Sequence, residues 1–442
     1  GKNKVVNHHQ EVPFRVLERQ YSFDEQGQHT ENNGSENMII HGDNLEALKA
    51  LLPQYEGKMK CIYIDPPYNT GNEGWCYNDN VSDPHIQKWL GEVVGKEGED
   101  LTRHDKWLCM MYPRLMLLQK LLADDGVIFI SIDDNELYNL KAICDEIFGA
   151  NCYVSDIAWQ RTYSTRNDSK GIVNEVEHIL VYSKEPEWNP NKLPRTAEMD
   201  AKYKNPDNDV SAWRTSDAFA PGAATHQGMV YAIQHPFTGK MLYPSNGACW
   251  RYQQDTMLEI MNGWTKYELQ NLHDEKERAH VCGISPDEVR PDVKAIVLAD
   301  PLEVASANAQ KVLERGQWPR FFFTKGGKGG IARKTYLENV GGRLPTNFWP
   351  FSETGHTDEA KKEMLAIFDG KATFDTPKPH RLIEFVLKVA GTQDALILDS
   401  FAGSGTTAHA VLNMNKADGG HRKFILVEMG DYADTITAER VK

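Results

Sequence analysis

Short apolar runs alternating with helical spacings constrain the fold of this chain more than any other feature. The runs NMIIHGDN (37–44), KCIYID (60–65), GVIFISID (126–133), EHILVYS (177–183), ALILDS (395–400) and KFILVE (423–428) are rich in Ile, Val and Leu, and several end in a carboxylate or a turn. Runs apolar on successive residues read as strands buried on both faces, as in a sheet covered by helices on each side. Between them, NLEALKALLPQY (44–55), RLMLLQKLLADD (114–125), DNELYNLKAICDEIFG (134–149) and PHRLIEFVLKVAG (379–391) place apolar residues three and four apart. Asp or Asn stands at plausible starts and Gly at plausible ends. The alternation predicts an α/β fold with a doubly wound, mostly parallel sheet.

The 442 residues are enough for about two or three domains. Residues 1–36 read as an N-terminal extension. The span 37–185 holds four strands, and 348–442 holds two, too few to bury a sheet face alone, so the halves are expected to build one sheet. Residues 186–347 break the rhythm. This stretch is rich in Pro, Asn, Gly and Trp with weak periodicity, and is expected to be an inserted domain, largely irregular or β-containing. The chain opens on Gly1 rather than methionine and stops at Lys442 just after an apparent strand, as expected of part of something larger.

No apolar run approaches the roughly 18 residues that cross a bilayer, and no secretory signal is seen, so a cytoplasmic protein is expected. Seven cysteines without a CxxC pair form neither a disulfide framework nor a zinc pattern. The pair His8 and His9 reads as solvated rather than metal-bound, and no metal is expected. The net charge of −14 argues against a surface that coats nucleic acid uniformly but permits a local basic face. In RGQWPRFFFTKGGKGGIARKTY (315–336), Arg315, Arg320, Lys325, Lys328, Arg333 and Lys334 occur with no acidic residue between them, interleaved with Trp318 and three phenylalanines. A solvated basic loop would look like this; so would a phosphate-contacting loop whose glycines let the backbone approach a ligand.

Two motifs carry chemistry. In LDSFAGSGTTAHAVL (398–412) a strand, a glycine turn and a helix start form a cradle for a nucleotide-like cofactor, with Gly403 and Gly405 permitting close approach. The loop lacks a P-loop lysine, so a carboxylate fits its helix start as well as a phosphate. Glu428 closes the next strand, where an acidic side chain can hold two ribose hydroxyls. A glycine turn serving only helix packing is the plainer reading. In CIYIDPPYNTG (61–71), Asp65, Pro66, Pro67 and Tyr68 follow a buried strand. Pro66 and Pro67 present carbonyls on a stiff turn, so a carboxylate and a carbonyl can accept the two hydrogens of a planar amine. Tyr68 offers a face for base stacking, worth about 1–3 kcal/mol. A strand-ending Asp-Pro turn explains Asp65 and one proline, not the tetrad.

With these motifs the chain resembles the S-adenosylmethionine-dependent amino-methyltransferases of DNA, whose most specific signatures are DPPY and FAGSGTT. The clamp precedes the cofactor loop, as in the permuted β class. The fuller context HGDNLEAL, IYIDPPYNTGNEGWCYNDN, FISIDDNEL and LDSFAGSGTT is most similar to modification subunits of type III restriction systems. The match covers roughly 37–183 and 374–430.

The resemblance implies a Rossmann-like methyltransferase sheet in which the strands bearing Asp65 and Asp399 are neighbours. It implies methyl transfer from S-adenosylmethionine to N6 of a flipped adenine in double-stranded DNA, with Asp65, Pro66, Pro67 and Tyr68 catalytic. The implied cofactor set is Asp43 (adenine), Asn44, Asp65, Lys378, Asp399, Phe401 to Thr406 (Phe401, Ala402, Gly403, Ser404, Gly405 and Thr406; the methionine portion) and Glu428 (ribose). Lys378 with Pro379 would open the helix flanking the cofactor, although a plain helix-start proline reads equally well. The insert 186–347 would recognise the target. Arg161, Arg166 and Lys170 in QRTYSTRNDSKG would approach DNA together with the basic run 315–336, and the loop 71–80 could close over the site. A homodimer and a helicase-nuclease restriction subunit are the implied partners. Three alternatives stay open: a cytosine-N4 methyltransferase using the same clamp, a DNA-reading subunit with little catalysis, and a nicotinamide dehydrogenase, for which no His or Lys is placed to explain the tetrad.

Overall fold

The computed structural model describes residues 7–70, 100–163 and 171–442. The loop 71–80, Arg166 and Lys170 lie outside them. The described residues divide between Leu193 and Pro194, and again between Arg343 and Leu344, into two compact units.

The first unit is built on an eight-stranded sheet. In chain order its strands are β1 (Met38–His41), β2 (Met59–Ile64), β3 (Leu122–Ile132), β4 (Tyr153–Gln160), β5 (Val176–Ser183), β6 (Phe348–Trp349), β7 (Leu396–Asp399) and β8 (Lys423–Glu428). In space they run β6-β4-β5-β3-β2-β7-β8-β1. Only β5 is antiparallel to its neighbours. The two chain halves meet where β7 lies parallel to β2, with Ile397 beside Cys61 and Leu398 beside Ile62.

Helices cover both faces because side chains alternate along each strand. Ile62, Ile64, Ile128, Ile130, Leu398 and Ile425 point to one face and pack on α1 (Asn44–Tyr55), α2 (Asp100–Leu121) and α3 (Leu137–Phe148) through Leu48, Leu51, Trp107, Leu115, Leu118 and Leu140. Cys61, Tyr63, Val127, Phe129, Ile397 and Leu426 point to the other face, under α5 (His380–Ala390) and α6 (Thr406–Asp418), where Leu382, Ile383, Val386 and Val411 are buried. Each such aliphatic side chain contributes about 1.5–3 kcal/mol. α4 (Thr357–Ile367) precedes α5. The sheet is therefore α/β, doubly wound and mostly parallel, as the alternation predicts. Among the described residues no helix is long and apolar enough to cross a membrane.

The local differences have physical causes. The helix expected at 114–125 starts earlier, at Asp100, and stops at Leu121, where β3 begins. The sequence reading places no strand at β4 or β6. β4 sits toward an edge with one face part-covered, so Ser155, Asp156 and Gln160 dilute its apolar pattern, and β6 has only two residues. His8 and His9 are buried rather than solvated: they lie in the short helix His8–Glu11, and the His9 carbonyl accepts from Lys49 Nζ at 2.9 Å.

The second unit, Pro194–Arg343, has its own aromatic core of Trp213, Tyr231, Trp250, Trp264, Phe321 and Phe323. Trp213–Asp217, Ile331–Tyr336 and Phe321–Phe323 form an antiparallel sheet. A four-stranded sheet runs Met241–Leu242, Ile233–Gln234, Ala295–Leu298, Tyr267–Gln270. The unit also holds a regular helix, Leu302–Arg315, whose buried residues Ala305 and Ala309 are too small to announce its period in the sequence.

Candidate active site

Asp65 follows the last residue of β2, in the carboxyl-end crevice where open α/β sheets bind ligands. The turn after it is fixed from the helix layer: Trp107 Nε1 on α2 donates to the Pro67 carbonyl at 2.7 Å. The Pro66 carbonyl has no hydrogen-bond partner among the described residues. Asn69 then takes the left-handed conformation at φ 59°, which its short polar side chain tolerates.

Four charged groups close on one another here. Lys378 Nζ, reaching in from just before α5, donates to Asp65 Oδ1 and Oδ2, each at 2.8 Å, and to the Tyr68 hydroxyl at 2.9 Å. It also lies over the Tyr68 ring, 5.0 Å from the centroid. Tyr68 Oη stands 2.9 Å from Asp65 Oδ1 and 3.2 Å from Glu177 Oε2, so its one proton serves one of the two carboxylates. Glu177 is the second residue of β5; its Oε2 is 3.5 Å from Lys378 Nζ, and its Oε1 accepts from Arg161 Nη1 at 2.9 Å.

Burial pushes the Asp65 carboxyl above the ordinary carboxylate value, and Lys378 offsets only part of that. Burial acts on Glu177 in the same sense, but Lys378 and Arg161 outweigh it and hold that carboxyl below its usual value. Burial would lower Lys378; Asp65 and Glu177 reverse the sign, so the ammonium is held above its ordinary value. Burial and then the two carboxylates raise the Tyr68 phenol well above 10.

The glycine turn is braced mostly by side chains, chiefly the Glu428 and Asp399 carboxylates. Glu428 Oε2 accepts from Gly403 N at 2.7 Å and Oε1 from Gly430 N at 2.8 Å. Asp399 Oδ1 accepts from Phe401 N at 3.0 Å, and its Oδ2 from the Thr407 hydroxyl at 2.5 Å. Its carboxyl is raised to about 7, chiefly by burial. Gly403 and Gly405 take φ of +52° and +79°. A Cβ on Gly405 would come within 2.9 Å of the Thr437 carbonyl, so no side chain fits there. Ala402 N donates to the Val427 carbonyl at 3.1 Å. Ser404 and Thr406 each accept from Arg440 Nη1 at 2.9 Å, and the Thr406 hydroxyl donates to the Lys378 backbone carbonyl at 3.2 Å. Lys378 thus touches the turn through its backbone and the clamp through its side chain.

Asp43 caps α1, accepting from Leu45 N at 2.8 Å. Buried Asn44 donates to the Ser400 carbonyl at 3.0 Å and accepts from Arg114 Nε at 2.5 Å, joining the start of α1 to the glycine turn. Glu363, His380 and His409 stand close enough to share an ion. Arg440 already occupies them, at 2.9 Å from Glu363 Oε2 and 3.2 Å from His409 Nδ1.

The basic residues divide. Arg161 faces Glu177 and serves the clamp network. Arg315, Arg320, Lys325 and Lys328 are exposed on the second unit, and Arg333 is half-buried. Burial, Arg251 and Arg320 depress the Arg333 guanidinium, marking a concentrated positive patch. Lys334 is a correction: it is fully buried, bonded to Asp207, Asp209 and, at 2.7 Å, the Trp318 carbonyl, so it cannot contact a phosphate. Along the strand Ile331–Tyr336, Lys334 points inward where Arg333 points out. Sequence reasoning missed Glu177, although a carboxylate heading the apolar run EHILVYS was its visible signal. It also missed Trp107, Arg114 and Arg440, which no local pattern announces.

A DNA methylase model (N6_N4_Mtase) matches residues 59–439. The chain belongs to this DNA methylase family. The Mod subunit of the type III restriction-modification enzyme StyLTI from Salmonella typhimurium is 34% identical over 408 residues, 90% of this chain and 53% of that protein. The EcoP15I Mod subunit from Escherichia coli is 28% identical over 435 residues, 91% of this chain and 60% of that protein. The type II methyltransferase M.KpnI from Klebsiella pneumoniae is 29% identical over 391 residues, 88% of this chain and 80% of that protein. The chain therefore spans little more than half the length of these type III relatives.

Proposed function

We propose that this DNA methylase chain transfers a methyl group from S-adenosylmethionine to the N6 amine of adenine in double-stranded DNA, as part of a type III modification subunit. The observation that carries the reading is the parallel pairing of β2 with β7, in register at Ile62 and Leu398, which opens the clamp and the glycine turn into one crevice. The residues present fit the cofactor: positive-φ glycines with no room for a Cβ at Gly405, the start of α6 at Thr406, and Glu428 at the end of β8. Phe401 to Thr406 would hold its methionine portion, Glu428 the ribose and Asp43 with Asn44 the adenine side. Asp399, braced inside the turn, supports this set from below.

When bound, S-adenosylmethionine supplies a methyl carbon activated by the sulfonium charge. The target nitrogen is a poor nucleophile, because its lone pair is delocalised into the base. Asp65 and the free Pro66 carbonyl accept its two N–H bonds, favour the pyramidal nitrogen and aim its lone pair for in-line transfer. A nitrogen that takes the methyl group would have to shed one proton, and Asp65 is the carboxylate that would receive it. Tyr68 supports the flipped base, a step that costs a few kcal/mol. An aspartate at position 65 favours adenine over cytosine by resemblance.

In the same reading the unit 194–343 recognises the target and presents Arg315, Arg320, Lys325, Lys328 and Arg333 to phosphates. The active assembly is a homodimer that works with a helicase-nuclease restriction subunit, in keeping with the type III relatives. Transfer of a labelled methyl group to DNA by the parent and by Asp65→Ala tests the reading. Label on DNA with the parent and none with the variant is expected; a parent that labels no DNA overturns it.

A further inference from the structure

Lys378 stands where an incoming amine has to go. Its nitrogen lies 2.8 Å from both Asp65 oxygens, the distance an amino nitrogen takes when it donates to that carboxylate, and it lies over the Tyr68 ring on which a base would stack. Its three donors are spent on Asp65 and Tyr68. A base amine therefore cannot take the clamp while the ammonium keeps it. A buried ammonium cannot simply be left unpaired. The nearest second partner is Glu177, whose Oε2 at 3.5 Å is within ion-pairing range but farther than an ideal hydrogen bond. Arg161 balances Glu177 from its other oxygen, so two carboxylates and two cations form a neutral set in which the lysine can change partners without a net charge appearing.

Resting on the reading under Proposed function, we propose that Lys378 is a displaceable stand-in for the target amine: it holds Asp65 and Tyr68 in the receiving arrangement, then moves onto Glu177 when the amine arrives. Glu177 is a positioning residue, acting through Lys378 rather than on the base. The Lys378 backbone, held by the Thr406 hydroxyl, stays in place while the side chain swings.

The groups facing Asp65 fix the sign of the pH dependence. Tyr63 and Tyr68 lie on its own strand and turn, Glu177 near the start of β5, Arg161 just after β4, Lys378 before α5, and Asp399 on β7. Transfer needs ionised Asp65. Removing the Glu177 charge makes Asp65 easier to ionise, so the acidic limb of the rate profile moves to lower pH. Removing Lys378 makes it harder, so the limb moves to higher pH.

The test measures kcat, KM for unmethylated plasmid DNA, cofactor Kd and the pH profile for the parent, Glu177→Gln, Glu177→Asp and Lys378→Met. Glu177→Gln is expected to raise KM for DNA about tenfold, the scale of one charged hydrogen bond, and to shift the limb downward. Lys378→Met is expected to lower kcat at neutral pH with recovery as pH rises, without raising KM for DNA. Glu177→Asp restores most of the parent KM, and cofactor Kd of the two Glu177 variants stays within about twofold of the parent, as suits a group that does not touch it. The proposal is overturned if Glu177→Gln leaves KM and the limb where they were, if both variants shift the limb in the same direction, or if cofactor and DNA binding collapse together. A parent that transfers no methyl group removes the underlying reading, and this one with it.

Discussion

Two lysines of this chain are buried between two carboxylates and a tyrosine, one in each unit. Lys334, in the second unit, is bonded to Asp207 and Asp209, with the Tyr336 hydroxyl on Asp209 at 2.7 Å. Lys378, in the first, is bonded to Asp65 and paired with Glu177, with the Tyr68 hydroxyl on Asp65 at 2.9 Å. The ingredients match, but the surroundings differ. Asp207 also accepts from Trp213 Nε1 and Trp318 N, each at 2.8 Å, and neither Lys334 nor Asp207 has any exposed side-chain surface. That cage is closed. Asp65 keeps 25% of its side chain exposed and stands on a turn whose Pro66 carbonyl has no hydrogen-bond partner among the described residues. The difference teaches that a buried lysine-carboxylate set marks function only when one of its members can still meet something from outside.

The largest expected effect is on the open set. Asp65→Ala is expected to slow methyl transfer by about 100-fold or more, the scale of losing one preorganised hydrogen-bonding group, without lowering the melting temperature. Asp207→Ala in the closed set is expected to do the reverse; an unchanged melting temperature there would break the comparison. Next, Lys334→Met leaves two carboxylates unpaired in a dry site and should destabilise the second unit by roughly 3–5 kcal/mol in denaturant unfolding. Lys378→Met should cost less than that, because Asp65 keeps a quarter of its side chain exposed and Glu177 keeps its pairing with Arg161.

A pH measurement sharpens the comparison with a third buried carboxylate. The folded Asp399 carboxyl is raised to about 7 from an ordinary 3.8. Its contribution to stability is complete below the unfolded value and is lost as pH rises through the folded one. Between pH 4 and 7 the Asp399 contribution should fall, so Asp399→Asn should lose less stability than the parent, or gain more, as pH rises across that window. The smallest effects belong to the exposed residues. If Arg315, Arg320, Lys325, Lys328 and Arg333 meet phosphates, log affinity for DNA should fall with log salt at a slope of about −4 to −5, and Lys328→Ala should reduce it by about one. A slope near zero would remove the electrostatic role of this patch.

The sheet was legible wherever a strand was buried on both faces. KCIYID, ALILDS and KFILVE announce β2, β7 and β8, whereas β4 and β6, at the sheet's edge, carry too little apolar pattern to be seen. The clamp and the glycine turn were legible because their chemistry demands unusual residues in sequence: two prolines after an aspartate, and glycines at positive φ. The supporting network was not. Glu177, Arg161 and Lys378 come from separate segments, and only the fold brings the Arg161 and Lys378 charges within 4 Å of Glu177. Lys334 looked like its basic neighbours because a run of charges does not reveal which side of a strand each one faces.

The central claim is that the ends of β2 and β7 bring an exocyclic amine and a methyl donor together. Nucleoside mass analysis of DNA incubated with this chain and labelled S-adenosylmethionine tests it most directly. The account predicts labelled N6-methyladenine confined to one sequence context. Label on cytosine N4 would contradict the assigned base, and unlabelled DNA would contradict the convergence itself.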